Sequence, residues 1–151
     1  MYKFKHIKPG PSSLPLLALI VALLGASTPH AAAQVAGDYR SFTSGDWNNL
    51  LTWQTFDGTA WLPALTTPTS SDGVITILTG NTVTVTADVT VDQVVVSAGG
   101  QLTVNSGVTL TVADQTTGTE LDVFGTLQVD GIGVVSGGAG TVCQINSVPV
   151  V

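Results

Sequence analysis

Residues 83–112 read VTVTADVTVDQVVVSAGGQLTVNSGVTLTV. Valine or leucine alternates with threonine, asparagine or aspartate through most of this stretch, and it contains no cationic, aromatic, cysteine or proline residue. An alternation with period two places apolar side chains on one face of a β-strand and polar side chains on the other. Glycine, asparagine and aspartate separate the runs, so the stretch predicts short strands joined by tight turns.

The alternation recurs with a 19-residue period. Shifted by this period, Val83 coincides with Leu102 and then with Leu121. Four glycines fall into the same register, namely Gly80, Gly99, Gly118 and Gly137. Three short strands per repeat are typical of one coil of a β-solenoid, whose coils stack about 4.8 Å apart. We therefore predict an all-β parallel β-helix of about four 19-residue coils, with the glycine column at a corner that needs positive φ. An antiparallel sandwich explains the alternation but not the fixed period.

The N-terminus has the organisation of a secretory signal peptide. Three lysines precede an apolar run from Leu14 to Ala26, and Ala31–Ala33 follow. That run is shorter than the roughly 20 residues of a membrane-spanning helix, so we expect cleavage after Ala33 and no membrane insertion afterwards. The predicted organisation is a signal peptide at 1–33, a capping segment at 34–73 and solenoid coils at 74–151 whose C-terminal end is open or truncated. We expect a secreted protein, outside the cell or on the outer-membrane surface.

Without the signal peptide the chain is strongly acidic. Residues 34–151 carry ten carboxylates against Arg40 alone, a net charge of −9, and contain no lysine or histidine. This charge argues against binding of nucleic acid, which needs clustered cations, and of anionic membrane surfaces. Cys143 is the chain's only cysteine, so neither an internal disulfide nor a zinc-type cysteine spacing is expected.

The carboxylates offer two weak catalytic arrangements. Without histidine or lysine, acid–base catalysis needs a carboxylate pair. Glu120 and Asp122 are predicted to point outward roughly 7 Å apart, and Asp92 and Asp130 to share an outward column roughly 9.6 Å apart. Neither pair has a long neighbouring loop that would form a cleft. We therefore expect no enzyme activity and no catalytic residue, cofactor or metal site, with a polysaccharide-active enzyme fragment as a minor alternative.

Aromatic residues are concentrated upstream of the repeats, where Trp47, Trp53 and Trp61 all lie. The first coil of a solenoid exposes an open apolar core and an unpaired strand edge, which an atypical terminal unit has to cover. Large rings suit such a cap because each buries much surface. The alternative is a platform of rings that stack on sugars.

Two segments resemble the mature start of large secreted bacterial surface proteins. They are YRSFTSGDWNNLLTWQTFDGTAWLPA (39–64) and PTSSDGVITILTGNTVTVTADVTVDQVVV (68–96), and the resemblance covers roughly residues 38–131. Its specific parts are Gly-Asp-Trp-Asn at 45–48, Thr-Trp at 52–53, Trp61 and Ser-Asp-Gly at 71–73. Those proteins are adhesin-like, often carry parallel β-helices and are commonly type IX secretion substrates. The resemblance implies a right-handed parallel β-helix with an aromatic N-terminal cap, although the family's C-terminal sorting domain is missing.

These features predict a non-catalytic structural or adhesive module of the cell surface. The alternative is a carbohydrate-binding module that uses Trp47, Trp53 or Trp61. The expected partners are surface glycans or other protein chains. Extending the register places Gly140, Val142, Asn146 and Val148 inward in a last coil with few good core residues. We therefore expect self-association through this end, because an uncovered strand edge is a template for pairing.

Overall fold

The computed structural model describes residues 33–115, 118–138 and 140–145. Almost all of the predicted signal peptide, and the predicted inward positions Asn146 and Val148, lie outside these residues. The described ranges contain fourteen strands, one 3-10 helix at Leu50–Thr52 and no α-helix, which confirms the predicted all-β class. In chain order the strands are β1 (Tyr39–Ser41), β2 (Gly45–Asp46), β3 (Trp53–Phe56), β4 (Trp61–Pro63), β5 (Ile75–Ile77), β6 (Thr82–Val85), β7 (Val89–Val91), β8 (Val94–Val96), β9 (Gln101–Val104), β10 (Thr109–Val112), β11 (Leu121–Val123), β12 (Thr126–Val129), β13 (Val134–Gly137) and β14 (Cys143–Ile145).

The strands form three sheets. The first has the order β14-β11-β8-β5-β1-β3-β4, the second β12-β9-β6-β2 and the third β13-β10-β7. The second and third sheets are parallel throughout, whereas the first is mixed because β1, β3 and β4 pair antiparallel. From β5 to β14 the chain visits the first, second and third sheets in rotation.

The period-two alternation explains which side chains face inward. In β5 and β8 the outer residues of each strand are buried and the middle one is partly exposed, as the sequence predicts. β-Branched side chains suit this arrangement because they pack well on a pleated, half-buried surface. Among the described residues, the buried apolar side chains form one core cluster: Tyr39, Trp47, Trp53, Ala64, Ile75, Ile77, Val83, Val85, Val91, Val94, Val96, Leu102, Val104, Leu110, Val112, Leu121 and Val123.

The constant 19-residue register is correct from β5 to β8 and from β6 to β9, but it is already wrong from β7 to β10, where Val89 pairs with Leu110. Val83 pairs with Leu102, as that period predicts, but Leu102 pairs with Leu127 rather than with Leu121. Leu121 instead continues the column of Val94, so the chain between these two partners is longer than one period. The spacing changes because the connections differ in length: residues 92–93 join β7 to β8, whereas residues 113–120 join β10 to β11.

The predicted glycine column is correct for two of its four members. Gly80 and Gly99 have φ of 83° and 78° and lie in the turns that precede β6 and β9. The Gly80 N–H donates to the Gly99 carbonyl at 2.9 Å, so the two turns stack. Gly118 also has positive φ but lies in the long connection before β11, and Gly137 ends β13 without positive φ. The changed register moves both away from the corner.

The N-terminal strands cover part of one end of the sheets. β1 pairs in parallel with β5, and β2 pairs in parallel with β6. At the opposite end, β12 and β13 are less buried than the strands they extend, and Val129 and Val134 are 43% and 47% exposed. Among the described residues, no helix has the length and apolar character required to cross a membrane.

Candidate functional site

Two of the three predicted ligand or cap tryptophans are core residues. Trp47 is 0% exposed and Trp53 is 1% exposed. Their rings pack edge to face with centroids 4.9 Å apart. The Trp47 Nε1–H donates to the Pro68 carbonyl at 3.0 Å, and the Trp53 Nε1–H donates to the Trp47 carbonyl at 2.7 Å. Because both rings are buried and both indole donors are occupied, neither tryptophan can stack on a ligand at the surface.

Trp61 occupies a different environment, on the partly exposed side of the β3–β4 hairpin. Its ring lies 5.2 Å from that of Phe56, the residue directly opposite on β3. The Arg40 guanidinium carbon lies 4.4 Å from the centroid of the Trp61 ring, a cation–π contact. Trp61, Phe56 and Arg40 are each partly exposed. We refer to Arg40, Gln54, Phe56 and Trp61 as the Arg40–Trp61 cluster.

The strand register brings this cluster together. Arg40 on β1 lies opposite Gln54 on β3, and Phe56 lies two positions further along the same strand face. The Gln54 Oε1 atom accepts from both Nε and Nη2 of Arg40, at 2.9 and 2.8 Å. The guanidinium is therefore held at one edge by an amide and against one side by an indole.

The turn that joins β3 to β4 is stabilised by Asp57. Its Oδ1 atom accepts the backbone N–H groups of Thr59 and Ala60, both at 2.7 Å, and the Thr59 hydroxyl at 2.8 Å. These hydrogen bonds, first of all that from Ala60, lower the pKa of Asp57 below its ordinary value. The carboxylate is therefore charged at neutral pH and fixes the hairpin that presents Trp61.

Arg40 is held without a carboxylate partner among the described residues. Its polar contacts there are with Gln54, and its cation–π contact is with Trp61. The neighbouring acid Asp38 is buried, and its two oxygens accept the backbone N–H groups of Val35 and Val74. The Arg40–Trp61 cluster therefore offers a flat apolar ring and a fixed cation on one surface.

The predicted carboxylate pairs do not form. Glu120 is 1% exposed, and its carboxylate accepts the Val142 N–H at 2.5 Å, so the prediction that it points outward beside Asp122 is wrong. Asp92 follows β7 and Asp130 follows β12, in the third and second sheets, so they share no column. The 19-residue register caused this second error. Within the described ranges, no three histidine, cysteine or acidic side chains are grouped closely enough to hold a metal ion.

An apolar cavity of about 400 Å³ lies at the C-terminal end, bordered by Leu121, Leu127, Val135 and Cys143. Cys143 pairs with Leu121 in register and is exposed. Partial burial and, secondarily, the Asp122 carboxylate raise the pKa of its thiol. Val142, predicted to point inward, is 48% exposed. The predicted self-association through this end stays a prediction.

Sequence reasoning identified Trp61 but not the residues around it. Arg40 stands out as the one cation of residues 34–151, yet nothing in a linear sequence pairs it with Gln54 or Trp61, which lie well downstream. The antiparallel pairing of β1, β3 and β4 creates that proximity. Comparison with known proteins gave no match to a family model, to a curated protein or to a solved structure.

Proposed function

We propose that the three sheets are the sides of a right-handed parallel β-helix and that the protein is a non-catalytic structural or adhesive module, secreted or carried on the cell surface. The observation that carries this proposal is the rotation of the strands. From β5 to β14 each strand belongs to the same sheet as the third strand after it and pairs with it in parallel. A chain that winds around a common core produces this order, and a single core cluster is consistent with it.

The packing of the N-terminal segment supports the proposal that this segment caps such a helix. Trp47 and Trp53 are buried in the same core cluster as the strands of the sheets. β1 and β2 pair with part of the edges of β5 and β6, whose backbone groups would otherwise be unpaired there. A segment that covers both core and edge at one end is what a stack of coils requires.

Engineered disulfides test the winding and its register. In a Cys143→Ser background, Thr103→Cys with Gln128→Cys joins residues that lie side by side on β9 and β12. Neighbouring strands bring the Cα atoms to about 4.8 Å, within the range that a disulfide spans. The matched control, Thr103→Cys with Asp122→Cys, follows the 19-residue spacing instead. Efficient oxidation of the control pair alone would contradict the proposed winding, as would a crystal structure with left-handed coils.

The proposed location rests on the N-terminal sequence, the acidic charge and the resemblance to secreted surface proteins. Fractionation of the native cells, followed by protease treatment of intact cells, tests it. We expect the protein in the medium or on protease-accessible surface, with a mature N-terminus at Gln34. Retention of the full chain inside the cell, protected until lysis, would contradict the proposal.

A second candidate function is carbohydrate binding, and the exposure of Trp61 beside Arg40 favours it. Rings that stack on sugars have to be accessible, which leaves Trp61 with Phe56 beside it, because Trp47 and Trp53 are buried. Trp61→Ala should abolish binding in a glycan-array assay. Phe42→Ala is the matched control, since Phe42 is a ring that is 65% exposed but outside the cluster. Equal binding by wild type and Trp61→Ala would exclude this candidate.

A further inference from the structure

Arg40 is unusual because it is the one cation of residues 34–151 and has no carboxylate partner among the described residues. Residues 34–151 contain ten carboxylates, yet the guanidinium contacts an amide and an indole and no carboxylate of the described residues. Asp38, two residues before Arg40, accepts the N–H groups of Val35 and Val74, and Asp57 accepts those of its own turn. The positive charge is therefore available on the surface rather than neutralised within the fold.

The guanidinium is also pre-organised. Two hydrogen bonds to Gln54 Oε1 occupy Nε and Nη2, and the Trp61 ring supports the group at 4.4 Å. A planar guanidinium presents donors in a fork that matches a carboxylate, and fixing it in advance reduces the entropy lost on binding. The Nη1 group does not take part in the contact with Gln54 and retains its donors for a ligand.

We propose that the Arg40–Trp61 cluster binds a carboxylate-bearing sugar within a glycan. This inference rests on the second proposed function, carbohydrate binding by Trp61. The partly exposed rings of Trp61 and Phe56 supply the apolar surface that a pyranose contacts, and Arg40 supplies the charge that a carboxylate on the same ring contacts. Polyphosphates and nucleic acids are a poorer match, because they need several cations and this part of the chain has one.

The same sheet face has room for a negatively charged sugar. Outward from Arg40, the register runs through Thr76 and Val95 to Asp122, which lies three strands away. Three strand spacings amount to about 14 Å, beyond the screening length of about 8 Å at physiological salt. Thr76 and Val95 are uncharged, so a ligand at Arg40 meets neutral side chains before it approaches that acid.

The test compares two forms of one glycan. A neutral oligosaccharide that carries one galacturonate ring supplies a single carboxylate, and its methyl ester has the same backbone without the charge. Binding of each to the purified full chain is measured by calorimetry in calcium-free buffer. We expect the acid form to bind at least roughly tenfold more tightly than the ester, as a charge-assisted hydrogen bond implies, with an advantage that shrinks as salt is added.

Variants identify the residue responsible. Arg40→Gln should remove the preference for the acid form, and Arg40→Lys should retain part of it. Thr90→Val, an exposed position on β7 in the third sheet, is the control and should bind as wild type does. Thermal unfolding of each variant verifies that it is folded, and a variant that unfolds is replaced by Gln54→Ala, which frees the guanidinium without removing it and should reduce the preference.

Each outcome separates this inference from the function on which it rests. Equal binding of acid and ester, lost in Trp61→Ala, would overturn the preference for acidic sugars and leave carbohydrate binding in place. A preference for the acid that survives Arg40→Gln would overturn the role of Arg40. Absence of binding to either form and to neutral glycans on an array would overturn both proposals.

Discussion

Val104 and Val129 occupy neighbouring positions in one column of the second sheet, yet they differ in burial. Val104 lies between Val85 and Val129 and is 0% exposed, whereas Val129 is 43% exposed. Truncation of either residue to alanine removes the same two methyl groups. The two substitutions therefore compare a closed interior position with one at the end of the sheet.

The expected costs follow from that difference. Removal of two fully buried methyl groups loses about 1.6 kcal/mol of transfer free energy, and the cavity left behind raises the total for Val104→Ala to about 2–3 kcal/mol. For Val129→Ala only about half of the transfer term applies, and solvent fills the space, so about 1 kcal/mol or less is expected. Urea denaturation followed by far-ultraviolet circular dichroism gives both free energies of unfolding.

Equal losses for the two variants would refute the reasoning. If both cost about 2–3 kcal/mol, Val129 is covered in solution, either by further chain or by another molecule. If both cost less than about 1 kcal/mol, Val104 is not in a closed core and the assignment of inward faces in β9 is wrong. A change in the denaturant slope without a change in midpoint would point to an altered denatured state instead.

Two further predictions concern the turns and the thiol. Gly100→Ala should cost about 1–3 kcal/mol of unfolding free energy, because the added Cβ would lie 2.9 Å from the Leu78 carbonyl oxygen. In the control, Gly138→Ala, the added Cβ meets nothing closer than 3.7 Å, so this variant should be nearly neutral. Equal melting temperatures for the two variants would contradict the crowding at Gly100. Cys143 should react with iodoacetamide at neutral pH more slowly than free cysteine, because its raised pKa lowers the thiolate fraction. Asp122→Asn should accelerate the reaction in part, because it removes the charge that contributes to the raised pKa. A rate unaffected by this substitution would show that the Asp122 charge does not influence the thiol.

The inward faces of the strands can be predicted from the sequence, because alternation is a local property. The alternation predicts that Leu121 and Val123 are buried, and both are. The 19-residue period assigns them the wrong partners, Leu102 and Val104 rather than Val94 and Val96. Most of the described strands from β5 to β12 share this alternation, so a shift that preserves the phase leaves apolar residues inward and gives no local signal of the error.

The candidate site is only partly predictable for a different reason. An aromatic residue serves equally well in a core or on a surface, so the sequence alone does not separate Trp61 from Trp47 and Trp53. Their different positions depend on long-range contacts, such as the Trp47 indole with the Pro68 carbonyl and the Arg40 guanidinium with Trp61. Such contacts depend on the pairing of strands that are distant in sequence.

The long connection before β11 shows how irregularity in the repeat is tolerated. Parallel strands pair through backbone groups, so the chain between two paired strands can lengthen without disturbing the sheets, provided that its polar groups are satisfied. At the described end of this connection, Glu120 meets this condition in a costly position: it is buried, and its carboxylate accepts the Val142 N–H beside β14. A buried acid is destabilising unless it is hydrogen-bonded, and this bond also satisfies a backbone donor near the end of the first sheet. The residue that the 19-residue spacing assigned to the surface thus connects the irregular segment to the last described strand.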